Sequence, residues 1–117
     1  TKMDKKYNNA ALKMLNRALL LAPNAQVVLY TLGKLEREEG KFAEAEIHLV
    51  QAKKNSTVKV PEIHMELSQL YGNDLKKYNE AADELELYLK ASGASGDDEK
   101  KTRKLIADLK AKSKPTE

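Results

Sequence analysis

The sequence predicts an all-α protein of about six helices, and three observations carry that prediction. Apolar residues recur at steps of three and four along most of the 117 residues, which places them on one face of a helix. Composition agrees: 41% hydrophobic and 33% charged, but only 5% aromatic, a balance that suits helices better than sheets. Finally, the apolar pattern repeats. Ala11, Leu15 and Ala18 return 34 residues later as Ala45, Leu49 and Ala52, and 36 residues later still as Ala81, Leu85 and Tyr88. Leu29, Leu32 and Gly33 return after 35 residues as His64, Leu67 and Ser68. Such a period, built from two short helices, predicts antiparallel helix pairs stacked in register.

Each element has a local reason. Met3, Tyr7, Ala10, Ala11, Met14, Leu15, Ala18, Leu19 and Leu21 form the apolar face of the first helix. "APN" (Ala22–Asn24) ends it, because proline cannot continue a helix, and Asn24 is expected to cap the next. Val28, Leu29, Leu32 and Leu35 stripe the second helix, which "EEGK" closes with Gly40 in a left-handed turn. Phe42, Ala45, Leu49 and Ala52 make the third. "NSTVKVP" connects to a fourth helix with Pro61 in its first turn and Ile63, Leu67, Leu70 and Tyr71 inside. "GND" (Gly72–Asp74) is read as the next turn. Tyr78, Ala81, Ala82, Leu85, Tyr88 and Leu89 make the fifth helix, and "ASGASG" is linker-like. Ser95 with Asp98 three residues on reads as a capping box for a sixth helix. There Leu105, Ile106 and Leu109 face inward, while Lys114–Glu117 are expected to fray.

The middle repeat reads Leu29-x2-Leu32-Gly33, then Gly40-x-Phe42-x2-Ala45, Leu49 and Ala52. The next reads His64-x2-Leu67-Ser68-x2-Tyr71, then Tyr78-x2-Ala81 and Leu85. In this the chain resembles tetratricopeptide repeats. The match covers a half repeat over 5–24, repeats over 25–59 and 60–92, and a capping helix over 97–112, in one domain over 1–117. Glu36 stands where a tyrosine is usual, Thr57 where a proline is usual, and Tyr88 where a small residue is usual. An extra residue falls around Asn73–Lys77. The resemblance implies a right-handed superhelical solenoid, which in this family is a non-catalytic scaffold.

The glycines of "LGKLEREEGKF" fit that architecture. Gly33 is small where the paired helices approach closely, as are Ala45 and Ala52. A side chain there would overpack the pair at a cost of about 1–3 kcal/mol. Gly40 serves the turn between them.

Function classes are narrowed by what the sequence contains. No apolar run approaches the roughly 20 residues of a membrane helix. No cysteine is present, so thiolate chemistry and disulfides are excluded. The chain opens at Thr1, so an excised piece of a longer protein is expected. Net charge is +3, unevenly spread: +4 over residues 1–25 and −4 over 61–96. His48 and His64 lack an evident third ligand and read as core or rim histidines rather than a metal pair. Glu36, Glu38, Glu39, Glu44, Glu46, Glu80, Asp83, Glu84 and Glu86 read as solubilising charge on exposed faces, since paired acids catalyse only when burial separates their pKa values. The tyrosines mostly hold packing positions, which argues against a stacking platform for nucleic acid. An enzyme is not expected, and neither is a cofactor.

The resemblance implies a concave groove, lined by first helices, that accepts a peptide or partner helix. Its residues here would be Val27, Tyr30, Lys34, Arg37 and Glu38, then Glu62, Met65, Gln69 and Asn73. Glu62 and Glu66 would oppose a terminal carboxylate, which argues against the clamp of chaperone-tail binders. The alternatives are a nucleic-acid-binding helical repeat or a regulatory or targeting segment of a larger enzyme. The wide apolar face of residues 3–21 further suggests a homodimer through the first helix.

Overall fold

Among the described residues six α-helices form in the order the periodicity predicts: α1 (Lys2–Leu21), α2 (Gln26–Glu38), α3 (Phe42–Lys54), α4 (Pro61–Gln69), α5 (Tyr78–Ser92) and α6 (Gly96–Ser113). The computed structural model describes residues 2–55 and 59–114, with the backbone alone for residues 2–4. Thr57, residues 115–117 of the expected frayed end, and the side chain of Met3 lie outside the described residues. No strand forms among the described residues, and no helix is long and apolar enough to cross a membrane. Contacts cluster into two units, one up to residue 57 and one from residue 58.

In the first unit α2 packs between α1 and α3. Leu29, Leu32 and Gly33 of α2 are buried against Ala45, Leu49 and Ala52 of α3. The helices meet closely at Gly33. A β-carbon there would lie 2.6 Å from Leu49 Cγ, 2.9 Å from Leu49 Cδ2 and 3.3 Å from the Ala45 carbonyl oxygen. Helix propensity is sacrificed at this position because the neighbouring leucine occupies the space a methyl would need. Asn24 does not cap α2. Ala25 is the N-cap residue, and the Asn24 side-chain oxygen Oδ1 instead accepts a 3.3 Å hydrogen bond from the Asn55 side-chain amide beyond α3. Beside it the Gln26 amide donates to the Ala52 carbonyl at 3.3 Å. Both bonds join the start of α2 to the end of α3, so the pair is antiparallel. Asn8 of α1 likewise donates to Glu39 at the end of α2, at 2.6 Å. Leu12, absent from the face predicted for α1, is the buried residue among those of the helix whose side chains are described.

The α2–α3 turn explains the second glycine. Gly40 has φ +78°, its N–H reaches the Arg37 carbonyl at 3.1 Å, and the Lys41 N–H reaches the Glu36 carbonyl at 2.8 Å. These two bonds define a Schellman ending, which needs a left-handed residue where Gly40 stands.

In the second unit the same junction carries one more residue. "GND" is not the turn. Leu70–Asp74 continue α4 as a π-helical turn that absorbs the insertion, as single-residue insertions in helices do. The Leu75 N–H bonds to the Leu70 carbonyl at 2.9 Å and the Lys77 N–H to the Tyr71 carbonyl at 2.7 Å. Lys41 and Lys77 are 36 residues apart, whereas Glu36 and Tyr71 are 35 apart. The closing ring is therefore one residue wider in this unit. The left-handed position falls on Lys76, at φ 57°. Gly72 is buried instead, where a β-carbon would meet Ala81 Cβ and Leu109 Cδ2 at 3.4 Å each.

Helix α6 packs on α5, burying Ile106 against Ala82, Leu85 and Leu89, with Tyr88 and Leu109 partly buried around them. The capping box expected at its start does not form. Ser95 makes no side-chain cap bond, and Asp97, Asp98 and Glu99 in the first turn complement the helix dipole instead. Lys100, Lys101, Arg103, Lys104 and Lys110 are exposed, as expected of an outer face. Leu105, expected to pack inward, remains 52% exposed.

Two substitutions test this account in urea unfolding. Gly33→Ala is expected to destabilise by about 1–3 kcal/mol despite its better helix propensity. Lys76→Gly is expected to stabilise by about 0.5–1 kcal/mol, the left-handed strain removed exceeding the unfolded-chain entropy added. A stabilising Gly33→Ala or a destabilising Lys76→Gly would contradict the two backbone arguments.

Candidate functional site

The residues singled out from the sequence fall on α2 and on α4 with its π-helical turn. On α2, Val27, Lys34 and Glu38 are exposed, and Tyr30 and Arg37 are half-buried. A shallow cleft of about 150 Å3 lies beside them, where Lys34, Leu35 and Glu38 meet Ala11 and Leu15 of α1. In the second unit Glu62, Gln69 and Asn73 are exposed and Met65 is half-buried. Glu66 is buried, so of the two acids expected to oppose an anion only Glu62 is exposed.

Met65, Gln69 and Asn73 line a pocket of about 300 Å3 between α4 and α6. Buried Leu85 and half-buried Met65 and Leu109 supply apolar wall. Exposed Gln69, Asn73, Leu105, Asp108 and Lys112, with buried Ser68 and Gly72, supply the remainder. The half-exposure of Leu105 follows from this position at the pocket. Lys112 also lies 5.9 Å from the centre of the Tyr78 ring, which couples the end of α6 to the start of α5. Sequence reading missed Asp108 and Lys112. Their signal was present: Leu105, Asp108, Leu109 and Lys112 recur at helical steps on one side of α6.

The histidines have structural partners that the sequence reading did not assign. His48 Nδ1 lies 2.5 Å from Glu36 Oε1, joining α3 to α2. His64 Nδ1 lies 2.9 Å from Glu84 Oε1, joining α4 to α5. Glu36 and Glu84 are each only 5% exposed, so the reading of these two acids as solubilising surface charge is corrected. Their pattern also shows that the units are not copies. His48 and Glu84 are equivalent by the 36-residue offset, yet one contributes the base and the other the acid. Glu36 occupies the position of buried Tyr71, 35 residues on, which is why the stripe buries it. Among the described residues no three His, Cys, Asp or Glu side chains gather as metal ligands would. Tyr7, assigned with the other tyrosines to packing, is 75% exposed.

Burial raises the Glu36 carboxyl above its ordinary value, because desolvation penalises the anion. The His48 hydrogen bond and charge act in the opposite direction, Glu44 adds to the rise, and Lys41 reduces it.

No protein-family model matches the chain, and no curated protein matches it.

The raised Glu36 value has a defined sign in stability. Between the unfolded value of 4.5 and the higher folded value, the native state holds more protons than the unfolded chain. Stability from this group is therefore present at low pH and lost as pH rises through that window. Relative to Glu36→Gln, the wild-type protein is expected to lose stability as pH rises above 4.5 through that window. Urea unfolding of both proteins across that range checks it, and parallel pH curves would contradict it.

Proposed function

We propose that this chain is a non-catalytic protein-interaction module of tetratricopeptide type, which binds a peptide or partner helix on the first-helix faces of its repeats. The observation that carries the proposal is the pocket between α4 and α6. Three residues chosen from the repeat pattern, Met65, Gln69 and Asn73, line it together with apolar Leu85, Leu105 and Leu109. An apolar recess bordered by a few polar groups is the form of site that anchors one side chain of a ligand and orients its polar atoms. On α2 the corresponding face offers Val27, Tyr30, Lys34, Arg37 and Glu38, a mixture of charge and apolar surface that suits a ligand of mixed charge. Two further observations support the repeat assignment: the close helix approach at Gly33, and the left-handed turn that recurs at Gly40 and Lys76.

The test is a pull-down comparing wild type with Lys34→Glu/Arg37→Glu and with Leu105→Glu. All three positions on α2 and α6 leave the buried cores untouched or only partly engaged, and circular dichroism verifies the fold of each variant. Capture of a first-helix ligand is expected to fall by about tenfold or more in at least one variant. Partners that bind both variants as tightly as wild type would refute the assignment of these faces.

A further inference from the structure

We propose that the uncovered flank of α1 is a second docking surface, adjoining the α2 cleft at Ala11, and that it takes an amphipathic partner helix whose apolar seam is bordered by Asp or Glu. Helix α1 buries Leu12, with Asn8, Leu15 and Leu19 half-buried around it. Off that side Tyr7, Met14 and Leu21 recur every seven residues, and they are 75%, 71% and 90% exposed. Ala10, also exposed, lies between the first two. A helix-packing seam alternates two position types within each heptad; Tyr7, Met14 and Leu21 fill one, and Ala10 and Arg17 stand at the other. From Tyr7 to Leu21 the seam runs about 21 Å at the α-helical rise, enough for a helix partner rather than a single side chain.

The two borders of the seam specify the partner. Along one side stand exposed Lys6, Lys13 and Arg17. Along the other stand Ala11 and Ala18, whose small side chains let a second backbone approach. Residues 1–25 carry five Lys and Arg against one acid, so the field over this helix is positive. A partner with acids at its border positions would pair Lys6, Lys13 and Arg17 while its seam covers Tyr7, Met14 and Leu21.

A second copy of this chain fits less well. An antiparallel α1 pair centred on Met14 sets Lys13 against Lys13 across the two-fold axis, a repulsive juxtaposition. A parallel pair leaves the basic border facing Ala11 and Ala18. The acidic helix of a second copy, α5, exposes Glu80, Asp83 and Glu86, but Leu87 is its only exposed large apolar side chain. The charge is there without the seam. The homodimer through residues 3–21 is accordingly the competing occupant.

The experiment titrates the full chain into two labelled three-heptad peptides that share a leucine seam and carry either Glu or Lys at the border positions. Fluorescence anisotropy reads binding, and light scattering reads self-association. Wild type is expected to bind the Glu peptide about tenfold or more tighter than the Lys peptide, with the gap shrinking in high salt. Met14→Glu, at an exposed position, is expected to lose about tenfold or more for the Glu peptide. Lys13→Glu/Arg17→Glu is expected to reverse the preference without changing the fold. Equal affinity for the two peptides, or a preference unchanged in both variants, would overturn the proposal. A concentration-dependent dimer abolished by Met14→Glu, with no peptide binding, would overturn it in favour of a second copy.

Discussion

The distance between paired helices at Gly33 is the constraint from which most of the first unit follows. Leu49 occupies the volume in which a β-carbon on residue 33 would lie, with the Ala45 carbonyl close behind. That contact requires small residues along the seam of α2 and α3, and Ala45 and Ala52 supply them, fully buried. The second unit also lines its packed helices with small residues, but without that clash, since a β-carbon on Gly72 would make ordinary contact at 3.4 Å. Its small residues are Gly72, Ala81 and Ala82, and the contact at Gly72 extends to Leu109 of α6. At Gly33 glycine costs helix propensity of about 1 kcal/mol relative to alanine, which close apolar packing offsets.

Close packing also dictates how polar groups are handled. Where helices approach this tightly, a carboxylate on the buried stripe needs a partner within the protein, since loss of hydration is costly without one. Glu36 and Glu84 each find a histidine on the neighbouring helix of their own unit. Among the described residues no buried side-chain polar atom is left without a hydrogen bond. The pairs link helices within a unit, and their exchanged roles give each unit its own polar signature. Helix α6 then shapes the pocket of the second unit: it buries Ile106 against α5 and leaves Leu105, Asp108 and Lys112 lining the recess.

Helix number, helix order and the roles of Gly33 and Gly40 were legible in the sequence, because periodicity and glycine placement are local signals. Features set by competition between partners were not. Asn24 had the chemistry of a cap, but a bond from Asn55 across the helix pair won. Gly72 looked like a turn because glycines often are. The inserted residue went instead into a π-helical turn, and Lys76 took the left-handed position. Glu36 and Glu84 look like surface charge in a list of acids. Only their place on a packed stripe, opposite a histidine of another helix, makes them interior. Three of the four α4-side candidate residues line the pocket, whereas the α6 contribution depends on how that helix rolls onto α5, which no short motif encodes.

The most direct test of the central claim is a double-mutant cycle between Gly33 and Leu49. If the leucine side chain is what forbids a β-carbon at residue 33, truncating it makes room for one. Gly33→Ala should then cost far less in a Leu49→Ala background than in wild type, with a coupling energy of about 1 kcal/mol or more. Urea unfolding of the four proteins supplies it. Additivity within about 0.5 kcal/mol would contradict the account, because the two positions would then not share the volume that sets the helix spacing.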